Sequence, residues 1–179
     1  MKTLLSLATM VLLSFVLNAE DSKKATQTDY GFFKMELAKG FKLAGKQERG
    51  PMTVLGFATE KRTDQTACAM IVTCMDFSKI PRKPEDKLPT VAEFLKGMLT
   101  GIEKSRTDFT STEIKSVKIG GITFERVEWK GKTNLEMQGI MYACKKGELY
   151  ICINAQDIAK YAKDSLPLCE KMVKSFTLK

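Results

Sequence analysis

Apolar positions along this chain fall into three kinds of pattern: one unbroken block, several period-two runs and two helical stripes. The block comes first. Leu4 to Leu17 is apolar except for Ser6, Thr9 and Ser14, and it is preceded by Lys2 and followed by Asn18-Ala19 and the charged run Glu20 to Lys24. A membrane span needs about 20 apolar residues, more than this run supplies. A short positive start, a short apolar centre and a small residue at the boundary read as a cleavable export signal over residues 1–19, cut after Ala19. Residues 20–29 are polar and read as a flexible leader. No cysteine closes the apolar block, which argues against a bacterial lipoprotein, and no later stretch is long enough to span a bilayer, so an integral membrane protein is not expected.

Period-two patterning begins at Phe33, Met35 and Leu37, which alternate with Lys34 and Glu36 and predict a half-buried strand. A turn follows at Lys39-Gly40-Phe41. Thr53 to Thr59 predicts another strand. Cys68 to Phe77 is apolar on both parities, the pattern of a central strand covered on two sides. Ser78 to Pro89 holds three prolines and mixed charge and reads as a loop. Thr90 and Glu93 then form a capping box. Behind it Val91, Phe94, Leu95, Met98, Leu99 and Ile102 make one apolar stripe at helical spacing, predicting a helix that ends near Ser105.

Strands resume at Thr110 to Ile119, and Gly120-Gly121 suits a tight hairpin turn. The next strand, Ile122 to Lys130, changes parity: Ile122 and Phe124 share one face, Val127 and Trp129 the other, which suggests a bulge near Glu125-Arg126. Leu135 to Cys144 and Leu149 to Ala155 form a second hairpin across Lys145 to Glu148. Asp157 is placed to cap a final helical region whose face carries Ile158, Tyr161, Ala162, Leu168, Met172 and Phe176. Pro167 should kink it or open a second short helix. Adjacent hairpins and two separate helices give the class α+β: a single antiparallel sheet of about six or seven strands, flanked by helices on both faces, in one domain over residues 30–179.

The order of these pieces resembles the fold family that holds the photosystem II extrinsic protein PsbP, the Ran-binding Mog proteins and their bacterial relatives. The resemblance rests on Phe33 to Leu37 with Gly40-Phe41, the mid-chain amphipathic helix, the hairpin Lys118 to Arg126, and the closing Met172 to Phe176, and it spans about residues 30–178. It implies an antiparallel sheet between helices and a role as an accessory or binding protein. No site motif of the family carries over residue by residue, so the resemblance speaks to fold more than to function.

Charge and cysteine content narrow the partners. Of 29 basic residues 28 remain once Lys2 is removed, against 21 acids, a net charge of +7. That balance suits an acidic protein or an anionic surface. The loop cations Lys79, Arg82, Lys83 and Lys87 are the candidate contact; with no interleaved aromatics they do not point to specific nucleic-acid binding. Five cysteines, Cys68, Cys74, Cys144, Cys152 and Cys169, leave at least one unpaired within the chain. Cys152, on the last long strand, and Cys169, on the helix expected to pack over it, are the candidate disulfide; the alternative is five buried, reduced thiols.

Catalytic chemistry is poorly supplied. There is no histidine, which removes imidazole-based nucleophile activation. Glu125 and Glu128, three apart in a strand, point to opposite faces. Cys68, Met70 and Cys74 share a strand face and Met75 adjoins them. Their ligands are soft enough for copper(I), but Cys68 and Cys74 lie about 20 Å apart at ~3.3 Å per residue. No cofactor is implied. Met98, Met137, Met141 and Met172 could line a pocket for a small apolar ligand, or serve as core. The expectation is therefore an exported, non-enzymatic accessory or binding domain acting by protein–protein contact. A carrier of a small apolar ligand and a thiol or soft-metal redox protein are the alternatives.

Overall fold

The computed structural model describes residues 27–83 and 85–179; the export signal and residues 20–26 of the expected leader lie outside them. Eight strands make the main sheet, which is antiparallel throughout: β3 (Phe41–Arg49), β4 (Met52–Thr59), β5 (Ala69–Asp76), β6 (Thr107–Ser111), β7 (Lys115–Ile119), β8 (Ile122–Lys132), β9 (Glu136–Lys146) and β10 (Leu149–Ile158). Their order across the sheet is β3-β4-β5-β10-β9-β8-β6, with β7 also paired to β8. A separate three-stranded sheet joins β1 (Thr28–Asp29), β2 (Phe33–Met35) and β11 (Thr177–Leu178). One sheet of six or seven strands is thus corrected to eight strands plus a small second sheet. The end of the leader is tied down, because Thr28 and Asp29 pair with Met35 and Lys34.

Among the described residues there are two α-helices, α1 (Val91–Glu103) and α2 (Ala159–Lys174). The expected capping box opens α1: Thr90 Oγ1 accepts from the Glu93 N–H, and the Glu93 carboxylate accepts from the Thr90 N–H. Burial in α1 falls on Leu95, Leu99 and Ile102, the centre of the stripe. α2 begins differently. Its N-cap is Ile158, with no side-chain bond to the helix. Asp157, expected as the cap, is fully buried at the end of β10 and is held by Arg62. The helix runs unbroken through Pro167.

Two cores lie on opposite faces of the sheet. On one, Phe57, Met70, Val72, Ile151, Ile153, Tyr142 and Phe124 meet Ala162, Leu166, Cys169, Met172 and Val173 of α2. Phe33 and Met35 of the small sheet close the same layer, with Phe33 stacked on Phe176 at 4.8 Å between ring centroids. Burying each such aromatic contributes about 1.5–3 kcal/mol. On the other face Val127, Trp129, Met141, Ala143 and Cys152 meet Leu95, Leu99 and Ile102 of α1. Helix cover is partial: α1 packs chiefly on β8 and β9, α2 on β9 and β10.

This arrangement explains the parity change in β8 without a bulge. Its register against β9 is continuous from Glu125 to Lys132. Phe124 belongs to the α2-side core, while Val127 and Trp129 belong to the α1-side core. The switch in apolar face records which side is covered at each point along a regular strand. Among the described residues no helix is long and apolar enough to cross a membrane.

Candidate functional site

Beyond Phe124 the α2-facing side of β8 turns charged. Arg126, Glu128 and Lys130 follow one another at period two. α2 lies over β9 and β10, leaving these side chains as the floor of a groove. Gln138 and Ile140 of β9 extend the floor, Ala162, Lys163, Leu166, Pro167 and Glu170 of α2 form one wall, and Thr110 and Ser111 of β6 with Thr112 form the opposite rim. The groove is open to solvent and has a volume of about 450 Å³.

Four polar side chains interlock where the floor meets the α2 wall, with Tyr142 beneath the lining. The Arg126 guanidinium donates to Glu128 Oε1 at 2.7 Å, to Glu170 Oε1 at 3.0 Å and to the Tyr142 hydroxyl at 3.1 Å. The Tyr142 hydroxyl in turn donates to Glu170 Oε1 at 3.0 Å. Burial works against the Arg126 charge, but the bonds to Tyr142, Glu128 and Glu170 outweigh it and hold its pKa above the ordinary arginine value. Burial pushes the Tyr142 phenol up to about 12, more than the Arg126 bond brings it down. The cluster is therefore a fixed ion-paired platform that ties α2 to β8. Lys130 and Lys163, which also line the groove, form no ion pair among the described residues.

The expected loop contact is built otherwise. Lys79 sits 3.6 Å from the Asp76 carboxylate, and Arg82 donates to Glu148 Oε1 at 2.6 Å. Lys83 and Lys87 are exposed. Two of the four cations are thus matched by acids of the same molecule. The loop abuts the β9–β10 turn through Glu148, whereas the groove lies near Gln138 at the other end of β9. Lys145 is seven residues from Gln138, about 23 Å at ~3.3 Å per residue, so the two surfaces are separate.

The structure corrects the expected disulfide. Cys152 is in the α1-side core and Cys169 in the α2-side core, so the sheet stands between them, and all five cysteines are free. Adjacent residues on β10 point to opposite faces, and α2 covers the face that Cys152 leaves. Cys169 instead meets Cys68, with the two Sγ atoms 3.6 Å apart. The four methionines do not line one pocket either: Met98, Met137 and Met141 pack in the α1-side core, Met172 in the other. Cys68, Met70 and Cys74 do share one core, as expected. Among the described residues no three metal-binding side chains of the His, Cys, Asp and Glu types cluster.

Two further polar arrangements carry no local sequence signal, since their members are far apart in the chain. Arg62 grips the buried Asp157 with two hydrogen bonds, 2.9 and 2.6 Å, and lies 4.2 Å over the Tyr161 ring. Arg106 lies 4.5 Å over the Trp129 ring and donates to Gln156 Oε1 at 3.0 Å. Burial lowers its pKa, and among the described residues no carboxylate pairs with it to offset that.

No family model matches the chain, and no curated protein matches it. Solved structures do. Cyanobacterial PsbP (CyanoP) from Synechocystis sp. PCC 6803 superposes with a TM-score of 0.56 over 90% of this chain and 98% of its own, at 11% identity. The chain has a PsbP-like fold. LpqN, described as involved in cell envelope biogenesis of Mycobacterium tuberculosis, aligns with a TM-score of 0.58 at 12% identity, covering 86% of this chain and 90% of LpqN. A Pseudomonas aeruginosa protein of unknown function aligns at 0.54 and 7% identity, over 82% of this chain and 91% of its own. At such identities the likeness speaks for the fold alone; in this PsbP-like chain the groove is argued from its own residues.

Proposed function

We propose that this chain is an exported, non-catalytic accessory domain that works by protein–protein contact, and that the groove between α2 and β6 receives a polar segment of the partner. The observation that carries this is the groove floor. Its Arg126–Glu128–Glu170–Tyr142 cluster is joined internally by hydrogen bonds, while Lys130 and Lys163 at its side are exposed and, among the described residues, form no ion pair, which leaves them to meet a partner carboxylate. Among the described residues no hydroxyl lining the groove is hydrogen-bonded to a carboxylate or amine that could serve as its base, the pairing that nucleophilic catalysis needs. The neighbours LpqN and CyanoP support an accessory role. A carrier of small apolar ligands has less support, because the methionines divide between two cores and the groove floor carries Arg126, Glu128 and Lys130 beside its apolar residues.

A photo-crosslinking residue placed at Ser111, compared with one at Lys87, tests the assignment in the native compartment. Crosslinking to a discrete partner from Ser111, lost when Lys130 and Lys163 are both changed to Ala, is the expected result. Crosslinking from position 87 alone, abolished by alanine at Lys79, Arg82 and Lys83, would move the contact to the loop. A co-purified small molecule in the native intact mass would favour the carrier.

A further inference from the structure

Of the five thiols, geometry brings together one pair. Cys74 and Cys144 each lie opposite Ile151, one strand to either side of it. That sets them about 9.6 Å apart at ~4.8 Å per strand, beyond the reach of a disulfide, whose Cα atoms stand within about 7 Å. Cys152 is on the far face of the sheet. Cys68 and Cys169, 101 residues apart in sequence, have Sγ atoms 3.6 Å apart and are both buried.

Each member is anchored on its own side. The Cys68 N–H donates to Thr59 Oγ1 at 3.1 Å, and its carbonyl accepts from the Thr59 N–H at 3.0 Å. Cys169 is in the body of α2. We propose that Cys68 and Cys169 are a disulfide-forming pair that closes during oxidative folding and fastens α2 to the start of β5.

The chemistry is a thiol–disulfide exchange with a small disulfide as oxidant. The Cys68 thiolate attacks one sulfur of that disulfide and a small thiolate leaves. Cys169 then gives up its proton, and its sulfur attacks the Cys68 sulfur of the mixed disulfide, expelling the second small thiolate. Two protein thiols are oxidised and one small disulfide is reduced to two thiols. In the folded state the Cys169 contact holds the Cys68 thiol below its ordinary value against its burial; in the folding chain either thiol of the pair can attack first, and the exchange balances the same way. Cys74 and Cys144 are pushed up to about 12 by burial, which keeps them protonated once folded. Both members of the pair are shielded in the native fold, so closure belongs to the folding chain, before α2 docks.

The test uses protein expressed from the full-length chain, denatured and reduced, then refolded in a reduced and oxidised glutathione mixture and quenched with N-ethylmaleimide. Intact mass should show three alkylated thiols, and peptide mapping should link Cys68 to Cys169. Cys152→Ser should keep the link. Cys68→Ser and Cys169→Ser should each leave four alkylated thiols. Dithiothreitol should lower the melting temperature of the oxidised wild type and leave those two variants unmoved. Five alkylated thiols after oxidative refolding, or a link through Cys74, Cys144 or Cys152, would overturn the proposal. Because the pair lies in the core and not in the groove, the result is independent of partner capture.

Discussion

Gly139 tests the packing of the α1-side core by a single methyl group. It sits in β9 directly opposite Trp129, where a Cβ would meet the indole at 2.4 Å. Real Cβ contacts are essentially never that short, so the ring has to move by about 1 Å. It has little room. Trp129 is 1% exposed, Arg106 lies 4.5 Å over it, Phe109 stacks at 6.2 Å, and its Nε1–H donates to Asn154 Oδ1 at 3.2 Å. Overpacking of this kind costs about 1–3 kcal/mol. A strained or lost indole hydrogen bond adds about 0.5–1.5 kcal/mol. Against this, alanine reduces unfolded-state entropy and gives back about 0.4–1 kcal/mol. The net for Gly139→Ala is a loss of about 0.5–4 kcal/mol, or roughly 1–16 °C in melting temperature for a domain of this size. Trp129 is the single tryptophan, so urea unfolding followed by its fluorescence reads stability and the local environment together. Gly101→Ala in α1, where a Cβ has nothing within 4 Å, is the control and should stabilise by about 0.5–1 kcal/mol. A Gly139→Ala protein with wild-type stability and unchanged emission would refute the packing argument.

The α1 cap gives a second expectation: Thr90→Ala should cost about 1 kcal/mol by urea unfolding. The Glu93 carboxyl, held below its ordinary 4.5 by the Thr90 N–H and then the Thr90 hydroxyl, contributes stability that is full above 4.5 and lost as pH falls through the lower folded value. Glu93→Gln should therefore flatten the acid limb of the stability curve. Tyr142 behaves in the opposite sense, its folded value of about 12 lying above the ordinary 10. Its contribution is complete below pH 10 and declines between 10 and about 12, and Tyr142→Phe should remove that part of the alkaline decline.

Legibility in the sequence follows from how local the cause is. The α1 boundaries were readable because cap and stripe lie within fourteen residues of one another. The Gly120-Gly121 turn was readable because both residues adopt positive φ, +56° and +82°, which few other residues tolerate. β3 was not readable. It is an edge strand bearing Lys42, Lys46, Gln47 and Glu48, with a bulge between Leu43 and Gly45, and an edge exposed to water needs no apolar alternation. The stretch Thr110 to Ile119 reads as one strand but forms two, β6 and β7, which pair with successive parts of β8. Asp157 looked like a cap because an acid before a helical stripe is the ordinary signal. Its real partner, Arg62, is 95 residues away and has no local signature. The Cys68–Cys169 contact is hidden in the same way, since it depends on which face α2 covers.

The groove shows how far a strand pattern can point to a site once topology is known. On the α2 side of β8 the sequence runs Phe124, Arg126, Glu128, Lys130. Phe124 packs beneath Phe176 and Tyr142 in edge-on contacts. From Arg126 onward a helix face laid flat would bury charges, each costing several kcal/mol unless paired. α2 answers with one acid, Glu170, which pairs Arg126, and with Lys163 and Pro167 it walls the groove instead of filling it. Pro167 donates no N–H to the Lys163 carbonyl one turn back, so the helix backbone itself leaves an acceptor on that stretch. The parity change in β8 and the proline in α2, which look like two irregularities in the sequence, therefore bound the same opening. Replacing Arg126 and Glu128 together with apolar residues should let α2 settle on β8 and close the groove. If the groove is the contact, partner crosslinking from Ser111 should then be lost while the fold persists.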